Sequence, residues 1–338
     1  MILAGDIGGT KTLLEIGILR DGNWKPVFGN RYPAAGYLDL HAVLHDFLRE
    51  WGTKRSSQDA LTHACLGVAG PTFDNRAQMT NLPWTVDGKA ISAEFDIPQV
   101  QIVNDFAAAA SGIEMLQEAD RVVLQPGDPR SAAPRLVIGA GTGLGVAYLL
   151  STATGYRVIA GESGHAGFAP ATPEQAGLWH HLYQRLGRVS VEDVVSGPGL
   201  VRIREYVEHT EERPEPEADH PAARGAAACA GITPAAIVRG ALESGDPQNL
   251  RALDLFIACY GEVAGNCALA LLARGGVYVA GGIAPKILPR LRTGGFLAAF
   301  NAKGPHSEAM RKIPVSIVTN ERLGLLGCAL IAARSQNG

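Results

Sequence analysis

The feature that most constrains this chain is a glycine-rich hairpin pattern that occurs twice, over residues 2–19 and 136–150. In each copy a short apolar strand leads into a glycine turn, and a second apolar strand follows. Such turns are built of residues that can adopt positive φ and expose backbone N–H groups. Because the same hairpin begins each half of the chain, the sequence predicts two similar α/β domains that face each other.

Strand and helix patterns alternate through the rest of the sequence, which predicts an α/β architecture with largely parallel strands. Helices are predicted over 40–51 and 105–117, and strands over 63–69, 100–103 and 277–280. Two further helices are predicted to begin where an N-cap residue precedes proline, at Thr233-Pro234 and Asp246-Pro247. The second of these extends to about Leu272.

The composition excludes several classes of protein. Glycine is in excess, 41 of 338 residues, but without the G-X-Y period of a collagen. The net charge of −3 provides no basic surface, so no nucleic-acid partner is predicted. The uncharged stretch 136–156 is long enough to cross a bilayer, but its glycines indicate two strands around a loop. Neither a membrane span nor a signal peptide is predicted.

The cysteines and one acidic segment also bear on metal binding. The five cysteines, which include no C-x-x-C pair, are Cys65, Cys229, Cys259, Cys267 and Cys328. We interpret them as reduced, mostly buried thiols of a cytoplasmic protein rather than as a zinc site. Residues 208–224 are acidic and rich in proline, and we interpret them as a solvated surface loop rather than a metal site or binding tail.

The first glycine turn, Gly5-Asp6-Ile7-Gly8-Gly9-Thr10, has the residue types of a phosphate-binding loop. Glycines let backbone N–H donors approach a polyphosphate, and Lys11 would add positive charge. A carboxylate there repels phosphate unless a cation intervenes, so Asp6 is predicted to hold the Mg²⁺ of a nucleotide indirectly, through water. The alternative is an ordinary tight hairpin in which Asp6 hydrogen-bonds locally.

Asn104 and Asp105 directly follow the predicted strand 100–103, at the kind of strand end where open α/β sheets bind ligands. One interpretation is helix capping, with Asn104 as the N-cap and Asp105 in the first turn. The other is catalysis, in which Asp105 accepts a proton from a substrate hydroxyl and Asn104 orients the same ligand. The two interpretations are compatible.

A further polar segment is Gly161-Glu162-Ser163-Gly164-His165. Glu162 and His165 have a spacing that occurs in metal sites, but no third ligand is nearby. Recognition of a polyol is the other interpretation, because carboxylates accept hydrogen bonds and imidazoles donate or accept them. Glu192, taken alone, is typical of a surface helix residue.

These segments, the second glycine turn, Ser196–Leu200 and Val279–Ile283 occur in the order seen in bacterial glucokinases. The chain resembles that family, a member of the hexokinase/actin-like ATPase superfamily, from Leu3 to about Ala332. It resembles the branch without the zinc-binding cysteine motif of the repressor, open-reading-frame and kinase (ROK) relatives. One departure is Lys11-Thr12, where many members have Asn-Ala.

The resemblance implies a two-domain actin-like ATPase fold, also called ribonuclease H-like. A small α/β domain of residues 1–115 plus 314–338 and a larger α+β domain of residues 116–313 are expected around a deep cleft. A carboxy-terminal helix near Leu325–Arg334 is expected to return to the small domain. Dimers are common in the family, so a homodimer is expected.

The resemblance also implies a role for each motif. Asp105 matches the general base of the family. The positions that match sugar-binding residues are Asn104, Asp105, Glu162, His165 and Glu192. The positions that match the ATP site are Gly5, Asp6, Ile7, Gly8, Gly9 and Thr10 in the first turn, Gly141, Thr142 and Gly143 in the second turn, and Gly281 and Gly282 beside the adenosine.

The implied reaction is the ATP- and Mg²⁺-dependent phosphorylation of D-glucose at its C6 hydroxyl in the cytoplasm. One alternative is a kinase for another hexose, such as mannose, fructose or an N-acetylhexosamine, and ADP or polyphosphate is an alternative donor. A sugar-sensing repressor is a further alternative. It is disfavoured because a helix-turn-helix is expected ahead of the first glycine turn, which begins at residue 5.

Overall fold

The computed structural model describes residues 1–54, 59–153, 155–212 and 231–336. The strands in chain order are β1 (Ile2–Ile7), β2 (Lys11–Arg20), β3 (Asn23–Pro33), β4 (His63–Val68), β5 (Thr72–Phe73), β6 (Arg76–Gln78), β7 (Thr85–Asp87), β8 (Gln99–Asn104), β9 (Arg121–Gln125), β10 (Arg135–Ala140), β11 (Leu144–Thr152), β12 (Gly155–Gly161), β13 (Gly276–Ala280) and β14 (Val315–Val318). The helices are α1 (Leu40–Gly52), α2 (Gly88–Phe95), α3 (Asp105–Gly112), α4 (Pro173–Leu186), α5 (Gly197–Glu212), α6 (Pro234–Arg239), α7 (Pro247–Leu271), α8 (Leu288–Leu291), α9 (Gly295–Asn301), α10 (Ser307–Arg311) and α11 (Leu323–Ser335).

The chain divides into two compact units. Unit 1 comprises Met1–Asp120, Leu149–Ala160 and Asn320–Gly338, and unit 2 comprises Arg121–Tyr148 and Gly161–Thr319.

The main sheet of unit 1 has the strand order β3-β2-β1-β4-β8. Strands β1, β4 and β8 are parallel, and β2 and β3 are antiparallel additions at one edge. Helix α1 buries an apolar face that includes Val43, Leu44 and Phe47 in the larger hydrophobic cluster of this unit. Helix α11 packs on β1, β4 and α3 through small residues such as Cys328 and Ala329.

Within unit 2, the first part of β11 (residues 144–148) and strands β10, β13, β14 and β9 are neighbours in that order. Strands β10, β13 and β14 are parallel, and β9 is antiparallel to β14. Helix α7 supplies the centre of its hydrophobic cluster, where Phe256 and Tyr260 are fully buried. The Tyr260 hydroxyl accepts a hydrogen bond from the Ala140 N–H at 3.1 Å, at the start of the second glycine turn.

Helix α7 is, among the described residues, the one helix long and apolar enough to cross a membrane. Its most apolar window is 72% buried within the protein, with a mean hydropathy of 1.2. Burial on this scale is what a core helix requires, since a membrane span presents its side chains to lipid.

Most of the predicted elements are confirmed. Both glycine hairpins form, as β1–β2 and β10–β11, and α1, β4, β8 and β13 lie where the sequence predicts them. Thr233 and Asp246 are the N-caps of α6 and α7, each with a side-chain oxygen that accepts a hydrogen bond from the backbone N–H three residues further along the chain. Helix α11 covers the predicted carboxy-terminal helix and packs within unit 1.

The predicted helix 105–117 is confirmed at its start and wrong at its end. Helix α3 stops at Gly112, and a single 3₁₀ turn over Ile113–Met115 follows. A Cβ on Gly112 would lie 2.3 Å from the carbonyl oxygen of Leu323, so α3 ends where its backbone meets α11. This contact joins residues far apart in sequence and leaves no local signal.

The acidic segment and the cysteines lie only partly within the described residues. Residues 208–212 belong to α5 rather than to a loop, and the remainder of segment 208–224 lies outside the described ranges. Cys65, Cys259 and Cys328 are buried free thiols and Cys267 is half-buried, whereas Cys229 lies outside the described ranges.

Candidate active site

The carboxyl ends of the parallel strands of unit 1 bring two carboxylates together. Ile7, Val68 and Asn104 lie in one row across β1, β4 and β8. Asp6 is one residue before this row and Asp105 one residue after it, so both carboxylates lie at the end of the sheet where α/β proteins bind ligands. Their charges interact, because each ionised carboxylate disfavours the other.

Asn104 caps α3 and fixes the backbone next to Asp105. Its Oδ1 accepts hydrogen bonds from the N–H groups of Phe106 and Ala107 at 3.0 and 3.1 Å. Its Nδ2 donates to the carbonyl oxygen of Gly70 at 3.2 Å. The capping interpretation of Asn104 is therefore confirmed, and the cap holds Asp105 at the first helical position.

Asp105 is a half-buried carboxylate at a helix N-terminus. Its Oδ1 accepts a hydrogen bond from the Phe106 N–H at 2.7 Å. Burial raises the pKa of Asp105, and hydrogen bonds from backbone N–H groups and from Asn104 oppose this increase. A raised pKa makes the carboxylate a better proton acceptor, as a general base requires.

The pKa of Asp6 is shifted further from its ordinary value than the pKa of Asp105. Burial, followed by the negative charge of Asp105, raises the pKa of Asp6 to about 6, while the positive charge of Lys11 lowers it. The Asp6 carboxylate is therefore disfavoured by burial and by the charge of Asp105, and Lys11 opposes this effect only in part. An arrangement of this kind fits a cation or a proton donor beside the two carboxylates.

The first glycine turn is closed by a hydrogen bond from the Gly8 N–H to the Lys11 carbonyl at 3.0 Å. Although glycine can adopt positive φ, none of the residues at 5–10 or 139–145 does so in the structure. At Gly5 and Gly9 glycine is needed for space. A Cβ on Gly5 would lie 2.6 Å from Leu66, and one on Gly9 would lie 3.1 Å from the Cβ of Asn81.

The second glycine turn is held by backbone contacts within unit 2. The Gly141 N–H donates to the Gly143 carbonyl at 2.8 Å, and the Gly197 N–H donates to the Gly141 carbonyl at 2.7 Å. Gly281 lies against the start of this turn with φ +83°, and its Cβ would be 2.5 Å from the Ala140 carbonyl oxygen. The structure thus brings Gly281 to the second glycine turn.

Glu192 is not a surface helix residue, so that interpretation is wrong. It is half-buried in a turn before α5, and its Oε2 accepts a hydrogen bond from the Leu144 N–H at 2.7 Å. The Glu192 N–H donates to the Gly164 carbonyl at 2.8 Å. Glu192 therefore contacts both the second glycine turn and the Gly161–His165 loop.

Glu162 and His165 lie on an exposed loop of unit 2. Their side chains are 85% and 62% exposed, and Glu162 Oε2 lies 4.0 Å from His165 Nε2. Within residues 1–54, 59–153, 155–212 and 231–336, no group of three His, Cys, Asp or Glu side chains is arranged to hold a metal ion. Both side chains are available for hydrogen bonds to a ligand.

The structure adds two residues that the sequence analysis did not select. Asn81 lies over Gly9 of the first glycine turn, and Gly324, near the start of α11, lies against the Asp6 carboxylate. A Cβ on Gly324 would be 3.3 Å from Asp6 Cγ. The glycine itself is the only local signal for Gly324, and its partner is more than 300 residues away in sequence.

Paired glycine hairpins, parallel strands that end in carboxylates and a carboxy-terminal helix within unit 1 define a sugar kinase of the two-domain actin-like ATPase fold. The glucokinase family model matches residues 3–335, and a glucokinase from Synechocystis sp. is 40% identical over 351 residues, covering 98% of each chain. The chain belongs to the glucokinase family, whose members are hexose phosphotransferases.

Solved structures agree with this assignment. The structure of a glucokinase from an Antarctic psychrotroph has a TM-score of 0.84 and 28% identity, covering 98% of each chain. A ROK-family glucokinase from Streptomyces griseus, solved with glucose and AMPPNP, has a TM-score of 0.60 and 18% identity, covering 98% of this chain and 99% of its own. The latter likeness concerns the fold alone.

Proposed function

We propose that this chain is a glucokinase that transfers the γ-phosphoryl group of ATP to the C6 hydroxyl of D-glucose. The family assignment over nearly the whole chain supports the reaction class. The observation that carries the proposal is Asp105, a carboxylate with a raised pKa held at the start of α3 by the Asn104 cap.

Asp105 is the general base in this proposal. It holds the C6 hydroxyl and takes its proton as the new P–O bond forms, a role worth about 10²–10⁴-fold in rate. The Phe106 N–H fixes one carboxylate oxygen, and in this proposal the other accepts the hydroxyl proton. Asn104, Asp105, Glu162, His165 and Glu192 hydrogen-bond the sugar hydroxyls, which rejects analogues that lack one.

The two glycine turns bind ATP in this proposal. Residues 5–10 and Gly141–Gly143 approach the phosphates, and Gly281 and Gly282 lie beside the adenosine. The position of Gly281 against the second turn supports this, because one ligand would then contact both segments.

Asp6 is proposed to hold Mg²⁺ through water. Carboxylate oxygen is a donor that Mg²⁺ prefers, and the ion usually keeps several of its waters. The repulsion between Asp6 and Asp105, which contributes to the raised pKa of Asp6, is the feature of this chain that a cation would relieve. Bound Mg²⁺ supplies neutralising charge for the phosphates.

Further parts of the assignment remain predictions: a homodimer in the cytoplasm, and domain boundaries at 115/116 and 313/314. A kinase for mannose, fructose or an N-acetylhexosamine is the alternative, because family members share a fold and differ in their sugar contacts.

The test is a steady-state assay of the wild type and Asp105→Asn over a panel of hexoses, with ATP or ADP as donor. The wild type is expected to show its highest kcat/KM with glucose and ATP. Asp105→Asn should bind glucose but lose at least about 100-fold in kcat, since the amide accepts a proton poorly. Near-wild-type turnover of Asp105→Asn would refute the base, and a higher kcat/KM for another hexose would refute the glucose assignment.

A further inference from the structure

Glu192 makes a contact that sugar binding alone does not require. Its Oε2 accepts a hydrogen bond from the backbone N–H of Leu144 at 2.7 Å, within the second glycine turn. Its backbone N–H is bound to Gly164, between Glu162 and His165. A hydrogen bond to an ionised acceptor is about twice as strong as one between neutral groups, so the Leu144 contact restrains the turn.

The Glu192 carboxylate packs closely against Gly143. A Cβ on Gly143 would lie 2.5 Å from Glu192 Oε2 and 3.1 Å from its Cδ, which is closer than van der Waals contact allows. Gly141 belongs to the same turn, yet a Cβ there would meet no atom within 4 Å among the described residues. A Cβ at position 143 would therefore displace the Glu192 carboxylate, whereas a Cβ at position 141 would not contact it.

Gly164 also lies close to Leu144. A Cβ on Gly164 would lie 2.4 Å from the Leu144 carbonyl oxygen, so Leu144 is in contact with Gly164 through its carbonyl and with the Glu192 carboxylate through its N–H. Movement of the carboxylate would be transmitted to Leu144 and through it to Gly143. A rigid link of this kind can couple two ligands if each favours the same arrangement.

On the basis of the proposed function, we propose that Glu192 is a positioning residue for the ATP-binding turn as well as a sugar ligand, and that it couples the two substrates. Oε2 holds the Leu144 N–H, and Oε1 accepts a hydrogen bond from a sugar hydroxyl. A bound sugar fixes the carboxylate, and the carboxylate fixes the turn, so ATP binds a turn that is already ordered. By linkage, ATP strengthens sugar binding by the same factor.

The first test is calorimetry of AMPPNP binding with and without glucose. In the wild type, glucose should tighten AMPPNP binding by about 5-fold or more. Without glucose, Glu192→Ala should weaken AMPPNP binding about tenfold, because the Leu144 N–H loses a charged acceptor. Glu192→Gln keeps an acceptor for Leu144 and should bind AMPPNP within about 2-fold of the wild type, but without the response to glucose.

Glu162→Ala is the matched control. Glu162 is also assigned to the sugar, but its side chain is 85% exposed and, among the described residues, is not one of the groups near a Cβ at Gly141 or Gly143. This variant should lose glucose affinity while its AMPPNP affinity without glucose stays at the wild-type value. Wild-type AMPPNP affinity in Glu192→Ala would overturn the proposal, and so would a full glucose response in Glu192→Gln.

The second test compares two alanine substitutions in the same turn. Without nucleotide, Gly143→Ala should raise the Kd for glucose about tenfold by displacing the Glu192 carboxylate, and Gly141→Ala should leave it unchanged. Equal glucose affinities in the two variants would overturn the proposal. A wild type that did not phosphorylate glucose would instead refute the proposed function, and AMPPNP binding to Glu192→Ala would still test the contact with the turn.

Discussion

The ionised side chain of Asp6 lowers the stability of the folded protein at a position that the proposed active site requires. Burial and the charge of Asp105 raise its pKa to about 6, so its ionised form is disfavoured in the folded state. Neutral pH nevertheless ionises it, and Lys11 offsets only part of the penalty. A group of this kind is expected at functional sites, where activity and stability make opposite demands.

Because ionised Asp6 is unfavourable in the folded state, we predict that Asp6→Asn stabilises the protein at alkaline pH and lowers its activity. The stabilising contribution of protonated Asp6 is present below its ordinary pKa of 3.8 and is lost as the pH rises through about 6. At pH 8 the variant should therefore exceed the wild type by about 1–3 kcal/mol in free energy of unfolding, and near pH 4 the two should converge. Urea unfolding at both pH values measures the difference.

Asp74→Asn is the control for Asp6→Asn, since it removes one carboxylate at an exposed turn. Asp74 has φ +49°, a conformation that asparagine also tolerates. The control should show no comparable gain at pH 8. If Asp6→Asn were less stable than the wild type at pH 8, the burial of an unfavourable charge at Asp6 would be disproved.

At the residue scale, local sequence signals identify some of the candidate site and not the rest. Asp6 and Asn104 are identified because each is next to a glycine turn or a strand end. The environment of Glu192 is set by Leu144, 48 positions earlier, and no local pattern records it. The same reason applies to Gly5, Gly9 and Gly143, because the atoms closest to a Cβ there come from distant segments.

At the scale of elements, the contact between α3 and α11 determines where Asp105 lies. A Cβ on Gly327 would lie 1.7 Å from the Ala108 carbonyl oxygen and 2.9 Å from the Gly112 nitrogen. The two helix backbones therefore touch at Gly327. Because α3 begins at Asp105, the position of α11 influences the position of the proposed base.

The helix contact predicts that Gly327→Ala destabilises the protein and reduces turnover. The added methyl has no space and must separate α3 from α11, an overpacking effect of about 1–3 kcal/mol. The displaced α3 should lower kcat more than it raises the KM for ATP. Chemical unfolding and steady-state kinetics on the same preparation measure the two effects.

Gly295→Ala is the matched control, at a helix position where the new Cβ would be 3.7 Å from Ile257. It should change stability by no more than about 1 kcal/mol, and in the favourable direction, because alanine has the higher helix propensity. If Gly327→Ala were as stable and as active as Gly295→Ala, the proposed dependence of Asp105 on the helix contact would be wrong.

Elements with strong periodic patterns are predictable here, and their ends are predictable where a cap is present. Helices α6 and α7 begin at the predicted N-caps because a side chain supplies the missing hydrogen-bond acceptor locally. The end of α3 has no such cap and depends on Leu323, so the sequence predicts a helix that is too long.

At the scale of the whole molecule, the described hydrophobic clusters follow the division into units. One cluster lies wholly in unit 2, and two smaller ones lie wholly in unit 1. Phe47 is fully buried in unit 1 with its ring 5.1 Å from that of Phe28, and Phe300 is fully buried in unit 2, stacked 6.2 Å from Phe296. Each unit therefore has a hydrophobic core of its own, as an independently folding domain requires.

Separate cores predict that thermal unfolding contains two transitions, and that each can be shifted alone. Phe47→Ala and Phe300→Ala each create a cavity that costs about 3–5 kcal/mol. In calorimetry, each substitution should lower the midpoint temperature of one transition by roughly 6–20 °C and leave the other midpoint within about 2 °C of its wild-type value. In the wild type, the calorimetric enthalpy should exceed the van't Hoff enthalpy, as expected when unfolding is not a single two-state step. If both substitutions lowered one shared transition equally, the two cores would unfold as a single cooperative unit.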